Sequence, residues 1–190
     1  MTDGGESDEA LIGRYARGEA AAFELLYRRH ELRIWRYLER NVGNRATADE
    51  LMQEVWFAVA RDAERYEPTA RFTTWLFTIA RNRMIDSNRV SRRQVSLEAV
   101  GYEAEAVVTQ LTTEPAVGPL AAAVARDQAT ALIRAIGQLP LEQRDAFLLH
   151  IEADLSIEEV ATVTRSSFET TKSRVRYARN RLRELLSEYA

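Results

Sequence analysis

Apolar residues recur every three or four positions along most of this chain, and that spacing predicts helices. Leu26, His30 and Ile34, for example, fall on one face of a helix predicted over residues 19–42. Few segments alternate with a period of two, and the chain has only eight glycines and four prolines. The other predicted helices cover residues 8–17, 47–63, 72–90, 122–137 and 141–152, followed by one that opens at Ser156 and one over 170–183. The chain is therefore predicted to be all-α.

Residues 94–125 interrupt this pattern. They contain four glutamates, Gly101, Pro115, Gly118 and Pro119, without one Lys or Arg. Such a composition predicts a flexible acidic linker, although a short helix within it stays an alternative. The predicted organisation is a disordered tail over 1–7, a helical domain over 8–93, the linker over 94–125 and a second helical domain over 126–190.

Composition excludes several function classes. The chain has no cysteine and only two widely separated histidines, His30 and His150, so we expect no metal site, no cofactor and no catalytic residue. Neither a signal peptide nor a membrane-spanning stretch is evident, which predicts a cytoplasmic protein without membrane insertion. With 29 acidic and 26 basic residues the net charge is −3, so any DNA-binding surface must concentrate its positive charge in one part of the molecule. This balance favours a DNA reader that a larger protein holds on DNA.

The C-terminal end has the pattern of a helix-turn-helix. Its first helix opens at Ser156, and its second, over 170–183, carries six basic residues and no acid. The second helix is predicted to have a basic stripe of Lys172, Arg176, Arg179 and Arg183 beside an apolar stripe of Thr171, Val175, Ala178, Leu182 and Leu185. One face that packs and one that offers cations is the arrangement of a helix that reads the major groove.

A second candidate site lies in the first domain, where an aromatic run over 72–82 is followed by arginines. Aromatic rings beside Arg suit unpaired bases, since stacking contributes roughly 1–3 kcal/mol per base. The competing interpretation, favoured for the apolar members of the run, is that they form core: Phe72, Trp75, Leu76 and Ile79. The better candidates for nucleic-acid contact are Arg65, Arg71, Asn82, Arg83 and Arg89.

The preceding helix begins with a cluster of acids whose role the residues alone leave open. Thr47 and Glu50 have the spacing of a capping box, which predicts Thr47 as the N-cap. Asp49, Glu50 and Glu54 can complement the helix dipole, form an acid pair for catalysis, or offer a docking surface to a basic partner helix. No His, Cys or metal-ligand partner accompanies them, which weakens the catalytic interpretation.

Motif blocks in both domains resemble the extracytoplasmic-function (ECF) group of bacterial RNA polymerase sigma factors. In the first domain the resemblance rests on the run Ala48–Trp56 and on Phe72-x-x-Trp75-Leu76-x-x-Ile79-Ala80-Arg81-Asn82-x-x-x-Asp86. In the second it rests on Leu139-Pro140-x-x-x-Arg144-x-x-Phe147-x-Leu149, Ser156-x-Glu158-Glu159-Val160-Ala161 and Thr170-x-Lys172-Ser173-Arg174-x-x-x-Ala178-Arg179. It covers about residues 10–95 and 125–185, in the family's order and spacing.

The resemblance implies a subunit that binds core RNA polymerase and directs promoter-specific initiation, with region 2 in the first domain and region 4 in the second. It implies that a coiled coil of the largest polymerase subunit binds Asp49, Glu50, Leu51, Gln53 and Glu54. It assigns the melting and capture of the minus-ten element to the segment 64–82, with a flipped base held near 65–71. The minus-ten contacts would be Arg65, Arg71, Thr73, Trp75, Asn82, Arg83 and Arg89. The minus-thirty-five contacts would be Ser167, Lys172, Ser173, Arg174, Arg176 and Arg179. An anti-sigma factor is a further implied partner.

Two residues of the helix-turn-helix depart from the family pattern, which usually has glycine at the positions of Arg165 and Glu169. Arg165 falls in the turn, where glycine tolerates positive φ. Glu169 is predicted to complete a second capping box with Ser166, and the alternative is that it accepts a hydrogen bond from cytosine N4. The competing function, a stand-alone dimeric helix-turn-helix regulator, leaves the Trp75 block and the acidic helix without a role.

Overall fold

The computed structural model describes residues 6–94 and 118–187, with the side chains of 89–94 and 118–125 left aside. This part of the chain forms eight α-helices and contains no strand, which confirms the all-α prediction. The helices are α1 (Asp8–Ala16), α2 (Ala20–Val42), α3 (Arg45–Asp62), α4 (Phe72–Gln94), α5 (Gly118–Gly137), α6 (Leu141–Ile151), α7 (Ile157–Thr164) and α8 (Phe168–Leu185). A short 3-10 turn, Ala63–Arg65, follows α3. The predicted tail and linker lie largely outside the described residues.

Two helix ends differ from prediction by several residues. α4 continues to Gln94 rather than ending at Val90, and α5 begins at Gly118, inside the stretch predicted as linker. Pro119 is the second residue of α5, where a missing N–H costs nothing, and alanines follow it over 121–123. Alanine has the highest intrinsic helix propensity, so this start is favourable.

The predicted capping box at the start of α3 is wrong. Asn44 is the N-cap, and its side chain accepts a hydrogen bond from the Thr47 backbone N–H at 2.9 Å. Gly43, in the left-handed conformation with φ 69°, ends α2 immediately before it. Asn caps at least as well as Thr, and starting at Arg45 adds hydrogen-bonded residues to the helix. Glu50 is thereby left on the exposed surface.

The N-terminal half, α1–α4, is built around the long helix α2. Fully buried side chains from all four helices meet in its core: Leu11, Leu26, Ile34, Leu38, Val55, Val59, Phe72 and Leu76. The C-terminal half packs α6, α7 and α8 against the end of α5 through Ile136, Leu139, Leu148, Leu149, Val160 and Val175. The buried residues of both halves belong to one continuous hydrophobic cluster.

Three acids of the C-terminal half hold the two halves together. Asp145 is buried and accepts hydrogen bonds from the Tyr37 hydroxyl at 2.7 Å and from Arg81 Nε at 2.6 Å. Glu152 pairs with Arg40, and its backbone carbonyl accepts from Arg33 Nε at 2.8 Å. Both Arg40 and Asp145 lie within the interface, so these contacts are shielded from solvent.

Glu159 makes the third set of contacts. One carboxylate oxygen accepts from the Thr74 hydroxyl at 3.0 Å, and the other lies 3.5 Å from an Arg71 guanidinium nitrogen. Glu159 also accepts from the Ser156 backbone N–H at 2.8 Å, closing the capping box of α7. The helix-turn-helix is therefore docked beside the N-terminus of α4.

Candidate nucleic-acid and polymerase interfaces

α8 has the two faces that the sequence pattern predicts. Thr171, Val175, Ala178 and Leu182 are buried against the rest of the domain. Lys172, Arg176, Arg179 and Arg183 are exposed along the neighbouring stripe. This stripe therefore offers four cations to solvent beside a face that packs into the domain.

The turn before α8 is held by a chain of hydroxyl groups. Arg165 ends α7 in the left-handed conformation, with φ 53° and ψ 42°, so the turn keeps a glycine-like shape at a cost of about 1 kcal/mol. The Ser166 hydroxyl is hydrogen-bonded to the hydroxyls of Thr164 at 2.8 Å and Thr171 at 2.7 Å. Since Ser166 is committed to these partners, it does not cap α8.

The N-cap of α8 is Ser167, whose hydroxyl accepts from the Thr170 backbone N–H at 3.2 Å. The predicted capping box between Ser166 and Glu169 is therefore wrong, because the N-cap lies one residue later. Glu169 lies in the first turn but is not at the reciprocal capping position, which Thr170 occupies. Ser167 itself, predicted to contact DNA, is exposed while serving as the cap.

The predicted cations of α8 do not all share one surface. Arg174 lies roughly 200° around the helix from Lys172 and pairs with Glu142 of α6. Ser173 is half-buried between these two directions. Lys172 lies 5.7 Å above the Phe168 ring, and Arg176 lies 5.1 Å from the Tyr177 ring. The outward cationic stripe thus consists of Lys172, Arg176, Arg179 and Arg183, with Arg174 set apart.

The aromatic run at the start of α4 contains fully buried core residues and partly exposed residues at the edge of that core. Phe72 and Leu76 are fully buried, as the core interpretation predicts. Trp75 and Ile79 are partly buried and pack against that core. Thr73 is 6% exposed, so almost none of its surface faces solvent in this arrangement.

The predicted polar contacts around α4 are more accessible. Arg65, Arg71 and Asn82 are exposed and Arg83 is half-buried, whereas the Arg89 side chain lies outside the described residues. Arg71 faces Glu159 of the docked helix-turn-helix. The structure brings Arg65 and Arg71 to the two ends of one loop, the segment 66–71.

This loop is shaped by residues that the sequence pattern did not reveal. The Tyr66 hydroxyl donates to the Ala70 carbonyl at 3.0 Å, and its ring lies 5.1 Å from that of Trp75. Glu9 of α1 accepts from the Phe72 backbone N–H at 2.9 Å and so caps α4 from a distant part of the chain. Glu67, Pro68, Thr69 and Ala70 remain exposed. The loop is therefore anchored at both ends with its tip in solvent.

The acidic face of α3 lies on the side of the helix opposite its buried stripe. Asp49, Glu50, Gln53 and Glu54 are exposed, whereas Leu51 is 3% exposed and belongs to the core. Asp49 accepts from Trp35 Nε1 at 2.7 Å, which ties this face to α2.

A large apolar side chain interrupts the acidic face. Phe57 is 74% exposed and stands three residues after Glu54 and four after Gln53. Residues at those spacings share one side of a helix. The predicted site residues omitted Phe57, although an aromatic residue out of step with the apolar stripe was a signal for it. The face therefore combines carboxylates with one exposed ring.

Other kinds of site are not evident in the described residues. They contain no group of three or more His, Cys, Asp or Glu side chains arranged to hold a metal ion. No helix within the same ranges has the length and apolar character needed to cross a membrane.

Comparison with known proteins assigns the two halves. Residues 26–94 match the family model Sigma-70 region 2, and residues 129–182 match Sigma-70, region 4. The chain is 32% identical over 178 residues to RNA polymerase sigma factor CarQ of Myxococcus xanthus, covering 92% of this chain and 95% of CarQ. It is 32% identical over 180 residues to ECF RNA polymerase sigma factor SigL of Mycobacterium tuberculosis, covering 94% and 97%.

A solved structure shares the fold. The sigma factor RpoE from Bartonella quintana, in complex with the anti-sigma factor NepR, superimposes with a TM-score of 0.65 at 24% identity, covering 85% of this chain and 96% of RpoE. A helical protein with a region 2 half and a region 4 half is a transcription initiation subunit. The chain belongs to the ECF group of RNA polymerase sigma factors, which bind core RNA polymerase and direct promoter-specific initiation.

Proposed function

We propose that three separate surfaces of this sigma factor divide the work of initiation, without catalysis by the chain itself. The exposed face of α3 binds core polymerase, the loop 66–71 with the start of α4 captures opened minus-ten DNA, and α8 reads minus-thirty-five duplex. The observation that carries the proposal is that one chain presents an aromatic-rimmed surface at the start of α4, a mainly cationic surface on α8 and an acidic face on α3. Because the work takes place on chromosomal promoters, we place the protein in the cytoplasm.

The polymerase surface is proposed to consist of Asp49, Glu50, Gln53 and Glu54, with Phe57 as an apolar anchor. All five side chains are exposed on α3. Exposed aromatic residues contribute disproportionately to protein interfaces, and surrounding charges set orientation and association rate. Leu51 supports this face from the core rather than touching a partner directly.

At the minus-ten element, the exposed tip of the loop 66–71 suits capture of a base turned out of the stack. Arg65 and Arg71 at the two ends of the loop supply phosphate contacts, and the half-buried Trp75 ring lies at its base. Turning a base out of the stack costs a few kcal/mol. A loop that is already ordered avoids the additional entropic cost of becoming ordered when it binds the base. Asn82, Arg83 and Arg89 extend the proposed path along α4.

An anti-sigma protein is the third proposed partner. RpoE of Bartonella quintana, which shares this fold, is complexed with the anti-sigma factor NepR. The exposed faces of α3 and of the start of α4 are suitable places for such a protein to block polymerase or DNA.

The test of the polymerase surface is charge reversal. The variant carrying Asp49→Lys and Glu50→Lys is expected to lose association with core polymerase and promoter-directed initiation, while its helix content stays unchanged by circular dichroism. A matched variant reverses two exposed acids elsewhere, Glu24→Lys on α2 and Asp127→Lys on α5, and should still bind. Unchanged co-purification of the α3 variant with polymerase would refute this surface.

A further inference from the structure

The first turn of α8 holds an acid that the fold does not use. Glu169 is exposed, and within the described residues it makes no hydrogen bond and no ion pair. The capping role that its spacing suggests belongs instead to Ser167, which accepts from Thr170. An acid among cations on a DNA-reading helix repels phosphate, which is unfavourable unless the acid binds a specific group of the DNA.

Lys172 stands three residues after Glu169, within reach of an ion pair along the helix. No such pair forms, because the Lys172 ammonium lies over the Phe168 ring at 5.7 Å. Phe168 is the first residue of α8 and is 40% exposed. Phe168 and Glu169 therefore flank Lys172 at the N-terminal end of the helix, the end whose side chains reach base edges in helix-turn-helix complexes.

We propose that Glu169 and Phe168 set the sequence preference of this sigma factor in the upstream duplex element. The Glu169 carboxylate accepts a hydrogen bond from the N4 amino group of a cytosine in the major groove. The Phe168 ring contacts the C5-methyl group of an adjacent thymine. Cytosine presents a donor there and thymine a methyl group, so acid and ring match these two edges. The inference rests on the proposed reading of duplex DNA by α8.

Selection from a randomised promoter element tests this assignment. Holoenzyme reconstituted with core polymerase binds a promoter pool randomised at the upstream element, and bound and transcribed sequences are counted. The wild type should require cytosine at one position, and Glu169→Ala should reduce that preference by about 5- to 150-fold. Glu169→Gln should shift it toward adenine, because an amide donates to adenine N7 and accepts from N6. Phe168→Ala should weaken the thymine preference at the neighbouring position.

Glu158→Gln is the matched control, since Glu158 is an exposed first-turn acid of the adjacent helix α7. It should leave the selected sequence unchanged. An unchanged preference in Glu169→Ala, or an equal change in binding to every sequence, overturns the inference, because it reduces Glu169 to a complement of the helix dipole. If the wild-type holoenzyme selects no element while core alone initiates equally well, the proposed function falls together with the inference.

Discussion

Replacing Asp145 with alanine is expected to separate the two halves of the protein. The side chain of Asp145 lies in the C-terminal half and accepts hydrogen bonds from Tyr37 and Arg81 of the N-terminal half. Burial, together with the neighbouring Asp145 carboxylate, raises the pKa of Tyr37 well above its ordinary value, so the hydroxyl keeps its proton and donates. Asp145→Ala leaves that hydroxyl and the Arg81 guanidinium facing each other without an acceptor.

The free-energy cost of Asp145→Ala depends on how exposed Tyr37 and Arg81 are to water. An unsatisfied buried hydroxyl costs about 1–3 kcal/mol, and breaking a fully buried ion pair costs about 3–5 kcal/mol. The Arg81 side chain retains 18% exposure, which lets water replace part of the loss. A net cost of about 3 kcal/mol is the resulting expectation, at the lower end for a buried pair. Because the bonds cross between the halves, this cost shifts the docking equilibrium by roughly a hundredfold.

Distance measurement by fluorescence energy transfer is the direct assay. The chain has no cysteine, so cysteines introduced at the exposed Ala21 of α2 and Asn180 of α8 take the two dyes without side reactions. The parent is expected to show one short, narrow distance distribution, and Asp145→Ala a longer and broader one with unchanged helix content. Asp154→Asn, an exposed acid in the same half, serves as control. Identical distributions for Asp145→Ala and the parent would refute the role assigned to Asp145.

Two further predictions concern stability and promoter binding. Burial raises the pKa of Glu39 to about 7, against the opposing effects of Arg40 and Arg45. Since the folded pKa lies above the ordinary value of 4.5, stability falls as pH rises from 4.5 to 7 and remains reduced above it. Glu39→Gln should therefore stabilise the fold at pH 8 by up to about 3 kcal/mol and change little near pH 4.5. Urea unfolding at both pH values checks this, and an equal gain at both would contradict it. On α8, Arg176→Ala should cost about 1–3 kcal/mol of promoter binding if Arg176 reads a base. Holoenzyme titrations on variant promoters distinguish this from a phosphate contact, for which the loss would be the same on every sequence.

Helix positions were largely predictable because the apolar repeat records which face is buried. The buried stripe of α8, Thr171 to Leu182, follows directly from a 3.6-residue spacing. Caps were less predictable, since Asn44 and Thr47, or Ser166 and Ser167, offer equivalent oxygen acceptors within a few residues. At the start of α8 the choice depends on Thr164 and Thr171, which engage Ser166 and leave Ser167 to cap.

The contacts between the halves could not be predicted from local patterns. Arg81 and Asp145 are 64 residues apart, and Arg33 and Glu152 are 119 apart. Nothing in the spacing of either motif block specifies such a pairing. By sequence alone, each of these acids could equally well be exposed to solvent on a domain that does not contact the other. Glu9 as a cap for α4 is a similar case, since its partner lies 63 residues away. Long-range partners of this kind are set by tertiary packing.

The docked arrangement affects the two proposed DNA surfaces unequally. Arg71 and Thr74 are engaged by Glu159, whereas Lys172, Arg176 and Arg179 remain exposed. Separation of the halves would break the bond of Glu159 to Thr74, whereas its capping bond to Ser156 lies within the C-terminal half and does not depend on docking. The free-energy cost of opening therefore falls on the interface rather than on the reading helix. A partner that binds only the separated form must supply this cost through its differential affinity. Core polymerase is suited to do so if it holds the two halves at different promoter positions, as we propose.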